Sequence, residues 1–460
     1  MLLDRSGGPH IKYNKNGRRT LLTDNPDVIE SRLLERLRSG IQTHYLGVFL
    51  LIPYLKHLKV EEYLPLLGIE KKYGIPLLKD LLLGVNQTVI GKPRFSKLKT
   101  MKDLGLAVAS GLPAYPEQSH YHTFLSLPRM SAVDQFIRTI SRRQFELGYL
   151  EGNELACDTH VAKYTGKIDL QKDHIPQEGK RHKAVRIYAV VDQGYRNPVY
   201  LSCGYPGTGA VEIGKRLVDA SIDILPPDKK TKFIFDKWFS VGELLDYINQ
   251  RGQRFITLIR RHQNRIEQMK KIPINQFKTI TENMGITQIW VRLRNYEDDA
   301  RLVVVEVYEN GTRTVLGYLT NDSEADDLEI IQDYSSRWDV DFFYEEMDFL
   351  GLSALPSTKL NKVLFTLAIK LIAYNVISAF RSNLGDEFIE HEVETIFELF
   401  FDHQALVQLK RGKIMVTVFD HPYEYLLEDM YNNLSSKLSS KGVNPNVTWL
   451  GGYPLQFDFM

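Results

Sequence analysis

The spacing of apolar residues predicts helices along the first third of the chain. From residue 31 to about 150, leucine, isoleucine and phenylalanine recur at every third or fourth position, as in ESRLLERLRSGIQTHYL and AVDQFIRTISRRQFELGYL. That period places the apolar side chains on one face of a helix. We therefore predict a helical N-terminal domain over residues 31–150, preceded by a basic flexible tail over residues 1–30.

After residue 153 or so, short apolar runs of strand type alternate with helical segments. The pattern predicts strands at 155–160, 185–192 and 199–203, a helix at 211–222, a strand at 233–236, a helix at 241–249 and a strand at 255–259. Three successive strands followed by helix-linked strands form the order of a ribonuclease-H-like core. The predicted class is therefore α/β, with a mixed sheet that carries helices on its faces.

The alternation of strand and helix stops after residue 259. A basic stretch, RRHQNRIEQMKK, precedes the strand-like segments QIWVRLR, RLVVVEVYE and RTVLGYLT, with a predicted turn at Asn310-Gly311. Helices are predicted again at 334–351 and 362–382, and then a further helix, a hairpin around Gly412, another helix and an irregular tail. We predict a core over 151–259, an inserted β-rich module over 260–325, the C-terminal helices of the core over 326–400 and a C-terminal extension over 401–460.

Composition and charge restrict the kind of protein without identifying it. The 460 residues are 43% hydrophobic and 25% charged, as in ordinary soluble domains. The net charge is +1, so any surface that binds a polyanion must be local. One basic run is GKPRFSKLKTMKDL, although such a run is more often a solvated face. The apolar stretch Leu46–Leu55 is too short to cross a bilayer and predicts a buried helix.

Two acidic residues follow apolar strand-like runs that we expect to be neighbours in the sheet. Asp158 closes ELACD, and Asp236 closes FIFD. Carboxylates brought together from different segments can hold the two divalent ions that catalyse phosphodiester chemistry. Either aspartate alone is more often a helix cap or a turn residue. The pair of them on adjacent strands favours a metal site.

A late helix presents a second set of charged residues. With Asp341 as the reference and about 100° per residue, four side chains fall within roughly 40° of it: Tyr334, Arg337, Glu345 and Asp348. A second set faces away from that stripe: Val340, Phe343, Met347 and Leu350. Three carboxylates along one stripe repel one another, and a bound cation would offset the repulsion. The alternative is an ordinary amphipathic helix with a polar outer face.

These residues resemble the signature of bacterial and archaeal insertion-sequence DDE transposases of the Tyr-Arg-Glu-Lys group. In that motif Tyr is followed after two residues by Arg, after three more by Glu and after six more by Lys. Tyr334, Arg337 and Asp341 occupy the first three places. LACDTH, FIFDKWFS, FFYEEMDFLGL, LPSTK and LFTLAIKLIAYNVI resemble further family segments, and the resemblance covers most of residues 40–460.

The resemblance implies Mg²⁺- or Mn²⁺-dependent cleavage and joining of DNA at inverted-repeat element ends. Asp158, Asp236 and Asp341 would hold the metals. Tyr334 and Arg337 would contact the DNA backbone, and further DNA contacts are expected from basic residues: Arg260, Arg261, Lys97 and Lys99. The helical N-terminal domain is expected to bind DNA, and the chain to act as a homodimer on DNA, without a membrane, in the cytoplasm and at the nucleoid.

Two positions depart from the family signature. Asp341 stands where glutamate is usual, so Glu345 is an alternative third carboxylate. Asp348 stands where lysine is usual, and Lys359 or Lys362 could replace that lysine. These departures leave open a catalytically inactive, domesticated or decayed transposase-derived DNA-binding protein, and a metal-dependent nuclease without strand transfer.

Two further sets of residues complete the expectations. Trp338 follows Arg337, as is common in the family, and is expected to pack in the core. Three histidines near the first aspartate have no zinc-site spacing and are predicted to be solvated loop residues: His160, His174 and His182.

Overall fold

Two units make up the chain in the computed structural model, which describes residues 25–175, 179–260, 263–309 and 312–460. Unit 1 contains residues 1–136 and 346–460, and unit 2 contains residues 137–345. The five predicted site residues Asp158, Asp236, Tyr334, Arg337 and Asp341 lie in unit 2. Each unit is described by itself below.

Strands and helices are numbered in chain order. The strands are β1 (Ile41–Thr43), β2 (Glu154–Lys163), β3 (Lys172–Ile175), β4 (Lys180–Asp192), β5 (Asn197–Gly204), β6 (Lys232–Phe235), β7 (Arg254–Leu258), β8 (Lys278–Thr281), β9 (Met284–Arg292), β10 (Asp299–Glu309), β11 (Thr312–Thr320), β12 (Ala405–Lys410), β13 (Lys413–Val418), β14 (Asn446–Val447) and β15 (Tyr453–Phe459). The helices are α1 (Pro26–Ser39), α2 (Gly47–Leu50), α3 (Ile52–His57), α4 (Val60–Tyr63), α5 (Leu77–Val89), α6 (Gly105–Ala109), α7 (Gln118–Phe124), α8 (Met130–Glu146), α9 (Ala210–Ile224), α10 (Gly242–Gln250), α11 (Gln263–Lys270), α12 (Asp327–Ser335), α13 (Asp339–Phe349), α14 (Leu360–Leu384), α15 (Asp386–Ile389), α16 (Val393–Ile396), α17 (Glu424–Tyr431) and α18 (Leu434–Ser440).

The sheet of unit 2 has the mixed architecture expected from the sequence. Its first part has the spatial order β5-β4-β2-β6-β7. Strand β2 is antiparallel to β4 and parallel to β6, and β6 is parallel to β7. Helix α9 connects β5 to β6, and α10 connects β6 to β7. Each helix carries an apolar face that the sheet can bury. The mixed α/β prediction is confirmed.

The β-rich stretch after residue 259 extends the same sheet. Strand β11 is antiparallel to β7, and the order continues β11-β10-β9-β8. The three predicted strands are present as β9, β10 and β11, and the predicted turn at Asn310-Gly311 lies outside the described residues. Helix α12 packs on one face of this part, within one apolar cluster: Ile234, Ile256, Ile286, Val303, Val305, Tyr318, Ile330 and Tyr334.

Two local predictions in unit 2 are wrong. Strand β2 does not end at Asp158 or His160 but runs on to Lys163, because these residues continue the antiparallel ladder with β4. The helix predicted over 334–351 is broken. Helix α12 ends at Ser335, a 3₁₀ turn covers Ser336–Trp338, and α13 then begins.

Unit 1 contains a five-stranded sheet with the order β1-β12-β13-β15-β14. The predicted hairpin around Gly412 is confirmed as β12 and β13. The prediction of an irregular tail is wrong, because Leu455 and Phe457 alternate with exposed residues and form β15, parallel to β13. Strand β1 pairs with β12 inside a region predicted to be helical. Three residues are too few for a sequence pattern to predict.

A long apolar helix forms the centre of unit 1. Helix α14 was predicted over 362–382 and spans Leu360–Leu384. Among the described residues it is the one helix long and apolar enough to cross a membrane, and its apolar window is 100% buried. A helix that is apolar on all sides and buried is typical of a protein core. The Leu46–Leu55 stretch is likewise buried, as α2 and α3.

A candidate active site of aspartates and an arginine

Asp158 and Asp236 lie side by side at the end of the parallel pairing between β2 and β6. The last paired residues are Cys157 and Phe235, so the two aspartates are the next residues on adjacent strands. Asp236 also caps the 3₁₀ turn that follows it, since its Oδ2 accepts a hydrogen bond from the Trp238 backbone N–H at 3.3 Å. The structure therefore brings the first two predicted carboxylates together, and one of them is also a turn cap.

Asp158 lies in an environment that disfavours its charged form. Burial raises its pKa to about 7, and the nearby charges of Asp236 and Asp341 act in the same direction. The Thr159 backbone N–H donates to Asp158 Oδ1 at 2.6 Å, and this bond and the Arg337 guanidinium oppose the rise. A buried carboxylate beside two other carboxylates binds a proton or a cation more readily than an isolated one.

The Arg337 guanidinium lies between two of the aspartates. Its Nη1 donates to Asp158 Oδ2 at 3.2 Å, and its Nη2 is 3.8 Å from Asp341 Oδ2. The side chain is only 12% exposed, and its buried Nε has no hydrogen-bond partner in the described part of the chain. An unsatisfied buried donor costs free energy, so Nε is available to a further acceptor.

Tyr334 is positioned by the core rather than by a polar helix face. Its ring makes an edge contact with Tyr318 at 5.3 Å between centroids, and only 8% of the residue is exposed. Burial raises the pKa of its hydroxyl to about 12, with Asp236 contributing and Arg337 opposing. The expectation that Tyr334 lies on the exposed polar stripe is therefore wrong for its ring, although the residue lies close to Asp236 and Arg337.

The third carboxylate near the pair is Asp341. Burial raises its pKa, Arg337 lowers it and Asp236 raises it, so its charge is coupled to that of Asp236. Glu345, one turn later, is exposed and is not among the groups that shift the pKa of Asp158 or Asp341. The apolar face predicted for this helix is confirmed, because its four residues are all buried: Val340, Phe343, Met347 and Leu350.

Two basic residues that the sequence did not single out hold α12 in place. The Arg301 side chain is 6% exposed, and it donates to Gln288, to two carbonyls in the loop before α12 and to Asp327 in its first turn. Lys232, at the start of β6, forms an ion pair with Asp333 of α12 and lies 3.1 Å from Glu154. In the sequence, Lys232 and Arg301 could have been identified only as single basic residues beside apolar strand-like runs.

The residues predicted to contact DNA are distributed over both units. Arg260 donates to the carbonyls of Lys237 and Trp238, at 3.4 and 2.6 Å, and so braces the turn after Asp236. Lys97 is exposed in unit 1. Arg261 and the side chain of Lys99 lie outside the described residues.

The lysine position of the signature is also in unit 1. Asp348 accepts a hydrogen bond from Ser353 Oγ at 3.1 Å. Its charge raises the pKa of Lys370, which burial lowers to about 7. Of the two lysines considered as replacements, Lys359 is exposed, and Lys362 donates to the His122 carbonyl at 2.9 Å. The negative charge of Asp348 therefore lies close to a basic side chain of its own unit.

Two expectations about ring side chains are wrong. Trp338 does not pack in the core, because the 3₁₀ turn leaves it 62% exposed. The histidines near Asp158 are strand residues, on β2, β3 and β4, and the His160 ring contacts Tyr344 at 5.0 Å. Within the described ranges, no three histidine, cysteine, aspartate or glutamate side chains are arranged as a group that could hold a metal ion.

Part of the chain matches a known protein family. Residues 154–376 match the family model described as the transposase DDE domain, and the matched stretch includes the three aspartates. This match supports a DDE transposase. No curated protein is significantly similar to the chain. The chain is also similar to a piggyBac transposase in a cryo-EM structure of its synaptic complex with hairpin DNA. The identity is 12% and the TM-score 0.42, over 92% of this chain and 86% of that chain.

Proposed function

We propose that the chain is a DNA transposase that cleaves and joins DNA at inverted-repeat element ends, with Asp158, Asp236 and Asp341 as its metal-binding carboxylates. The observation that carries the proposal is the proximity of these acids. Asp158 and Asp236 follow paired residues of adjacent strands, and the charges of Asp236 and Asp341 both raise the pKa of Asp158. Such a cluster is costly in a folded protein unless a cation or a reaction uses it.

The donor chemistry of the cluster fits a divalent cation such as Mg²⁺ or Mn²⁺. Carboxylate oxygens are the protein ligands that Mg²⁺ prefers. A metal ion held there would polarise the scissile phosphate and activate the attacking oxygen. In the present arrangement Arg337 lies between Asp158 and Asp341, and the acids do not form a closed ligand set. We therefore propose that Arg337 moves towards the DNA when the acids converge.

The remaining roles follow from the positions of the side chains. Arg337 would bind a phosphate near the cleaved bond, because a guanidinium offers a fork of donors and its Nε lacks an acceptor. The Tyr334 hydroxyl, which is protonated at neutral pH, would donate to the DNA backbone. Arg260 would help to position Asp236, because it donates to a carbonyl of the turn that follows Asp236. We assign the third carboxylate to Asp341 rather than Glu345.

Several finer assignments belong to the same proposal. The strand order β5-β4-β2-β6-β7 supports a ribonuclease-H-like core, and Tyr334, Arg337 and Asp341 support the Tyr-Arg-Glu-Lys group. The helical segment 31–150 would bind DNA. Two element ends must be joined, so we propose a homodimer on DNA, acting inside the cell at the nucleoid.

The test is a cleavage assay with Mg²⁺ or Mn²⁺ on DNA that carries the inverted repeats flanking the gene. The variants are Asp158→Asn, Asp236→Asn, Asp341→Asn and Glu345→Gln, which remove charge and keep shape. Asp228→Asn is the matched control, since Asp228 is an exposed acid of the same unit. We expect the first three changes to abolish metal-dependent nicking, and Glu345→Gln and the control to retain it.

Two results would contradict the proposal. Nicking that survives Asp158→Asn would remove the enzyme assignment. Loss with Glu345→Gln but not with Asp341→Asn would transfer the third role to Glu345. Strand joining, measured with the 3′-hydroxyl end product, distinguishes a transposase from a nuclease that uses the same carboxylates.

A further inference from the structure

The β3–β4 hairpin projects beyond the strand that carries Asp158. The ladder between β4 and β2 ends where Ala184 pairs with Lys163. The four residues of β4 before that point, Lys180–Lys183, pair with β3 instead. At about 3.3 Å per residue, the hairpin therefore reaches roughly 13 Å past the end of the β2–β4 ladder.

The hairpin and the residues around it carry a local excess of positive charge. Residues 159–186 contain seven lysines and arginines against three acids, a net charge of +4, whereas the whole chain carries +1. The two described acids are already paired, Asp173 with Arg186 and Asp169 with Lys183. Four exposed basic side chains have no ion pair within the described residues: Lys167, Lys172, Lys180 and Arg181.

The register of the hairpin places two lysines opposite each other. Lys172 pairs with Lys183. Directly opposed side chains in an antiparallel pair are roughly 5 Å apart at Cβ, so two lysines there destabilise the hairpin. A line of phosphates would neutralise this repulsion and release counterions.

The basic residues share a face of the sheet with Asp158. Asp158 pairs with Ala189 of β4, and alternate residues of a strand point to the same side. Counting back by twos from Ala189 along β4 reaches Lys183 and Arg181, six and eight residues away. Their partner Lys172 lies on that face too. The distance from the level of Asp158 is therefore about 20 to 26 Å at about 3.3 Å per residue.

We propose that the β3–β4 hairpin is a DNA-binding arm. Lys172 and Arg181 would contact duplex phosphates about six to eight base pairs from the aspartates, at about 3.4 Å per base pair. This inference rests on the proposed function, because the distance is counted from the cleavage site. It adds a defined surface and a defined distance, which neither the family match nor the signature residues provide.

The test measures equilibrium binding in EDTA, on the full chain with Asp158→Asn, so that no cleavage occurs. The hairpin variant is Lys172→Gln with Arg181→Gln. The control is Lys230→Gln with Lys278→Gln, two exposed lysines of the same unit outside the hairpin. The duplexes extend either about 4 or about 14 base pairs from the cleavage position. Each length is made in two forms, one extended on the element side and one on the flanking side. At about 3.4 Å per base pair, the short duplex ends before the proposed contacts of the arm and the long duplex extends past them.

We expect the hairpin variant to bind the long duplex about ten-fold more weakly at physiological salt. The slope of log K against log salt should fall by about 2, since each lost phosphate contact removes about 0.9. The short duplex should show no such difference, and the control should behave as the parent. If the difference appears only with duplexes extended on one side of the cleavage position, the arm binds the DNA on that side. Arg181→Lys should keep the slope, because a phosphate contact requires charge.

Three outcomes would overturn the DNA-binding arm. The first is an unchanged slope of log K against log salt in the hairpin variant. The second is an equal loss of affinity for the short and the long duplex. The third is a loss of binding to anionic phospholipid vesicles as large as the loss of binding to DNA. Circular dichroism melting of each variant shows whether the fold is kept. Binding is measured without metal, so the binding test can contradict the arm while the unmodified chain still cleaves DNA. The binding test can also support the arm while the cleavage assay contradicts the proposed function. The two proposals can therefore be refuted separately.

Discussion

Arg301 offers the most direct test of how the β-rich part of unit 2 holds the helix that leads to Arg337. Its guanidinium donates to Gln288 Oε1 at 2.7 Å, to the Asp322 carbonyl at 2.8 Å and to the Ala325 carbonyl at 2.7 Å. It also donates to Asp327 Oδ1 at 2.7 Å, in the first turn of α12. The Arg301→Met change keeps the length of the side chain and removes every donor.

The expected cost follows from these contacts. The bonds link a side chain that is 6% exposed to a carboxylate, an amide oxygen and two backbone carbonyls. Breaking a buried pair costs about 3–5 kcal/mol, and the partly exposed Asp327 can recover some hydration. We therefore expect the free energy of unfolding to fall by about 3 kcal/mol. Arg301→Lys should recover part of this loss, because one ammonium cannot replace the guanidinium fork.

Arg313→Met is the matched control. Arg313 makes a comparable set of contacts, to Glu306 at 2.8 Å and to the carbonyls of Lys270 and Ile272, but none to α12. Both variants should lose stability in urea melts. In native-state hydrogen exchange, only Arg301→Met should accelerate the amides of α12 relative to those of β4. Equal exchange of α12 in the two variants would refute the idea that Arg301 anchors the helix.

Three further predictions concern other parts of the chain. His421 is buried, and burial together with the neighbouring His403 lowers its pKa to about 4. The unfolded chain binds a proton near pH 6.5, so stability is complete above about pH 6.5 and falls by about 3 kcal/mol towards pH 4. In urea melts at the two pH values, His421→Asn should reduce that difference. Trp338→Ala should change stability by less than about 0.5 kcal/mol because the ring is 62% exposed, whereas Phe343→Ala should cost about 3–5 kcal/mol in the same melts. Lys232→Met should lower the melting temperature, since it leaves Glu154 and Asp333 without their shared cation at a loss of about 1–3 kcal/mol.

The sequence predicted those features that depend on neighbours along the chain. Alternating and helical apolar periods located the strands and helices of the core, within a few residues of their observed ends. The apolar stripe of α13 was read correctly because Val340, Phe343 and Met347 follow the helical period. Asp158 and Asp236 were paired correctly because both follow short apolar runs, and the predicted strand order made those runs neighbours.

Other features depended on contacts between distant segments. The 3₁₀ turn at Ser336–Trp338 exposes Trp338, although nothing in its local sequence distinguishes it from the surrounding helical pattern. The segment Tyr453–Phe459 forms a strand because β13 and β14 lie beside it. The roles of Arg301 and Lys232 follow from partners that are 13 to 101 residues away.

The sequence by itself therefore determined the mixed α/β class, the extended apolar core and the acidic residues available for chemistry, because periodicity and residue type are local properties. The tertiary structure decided which carboxylates meet and which basic group lies between them. Asp341 is among the groups that raise the pKa of Asp158, and Arg337 contacts Asp158 across 179 residues. Those outcomes are set by how α12, the 3₁₀ turn and α13 pack on the sheet, and packing is not encoded in any single segment.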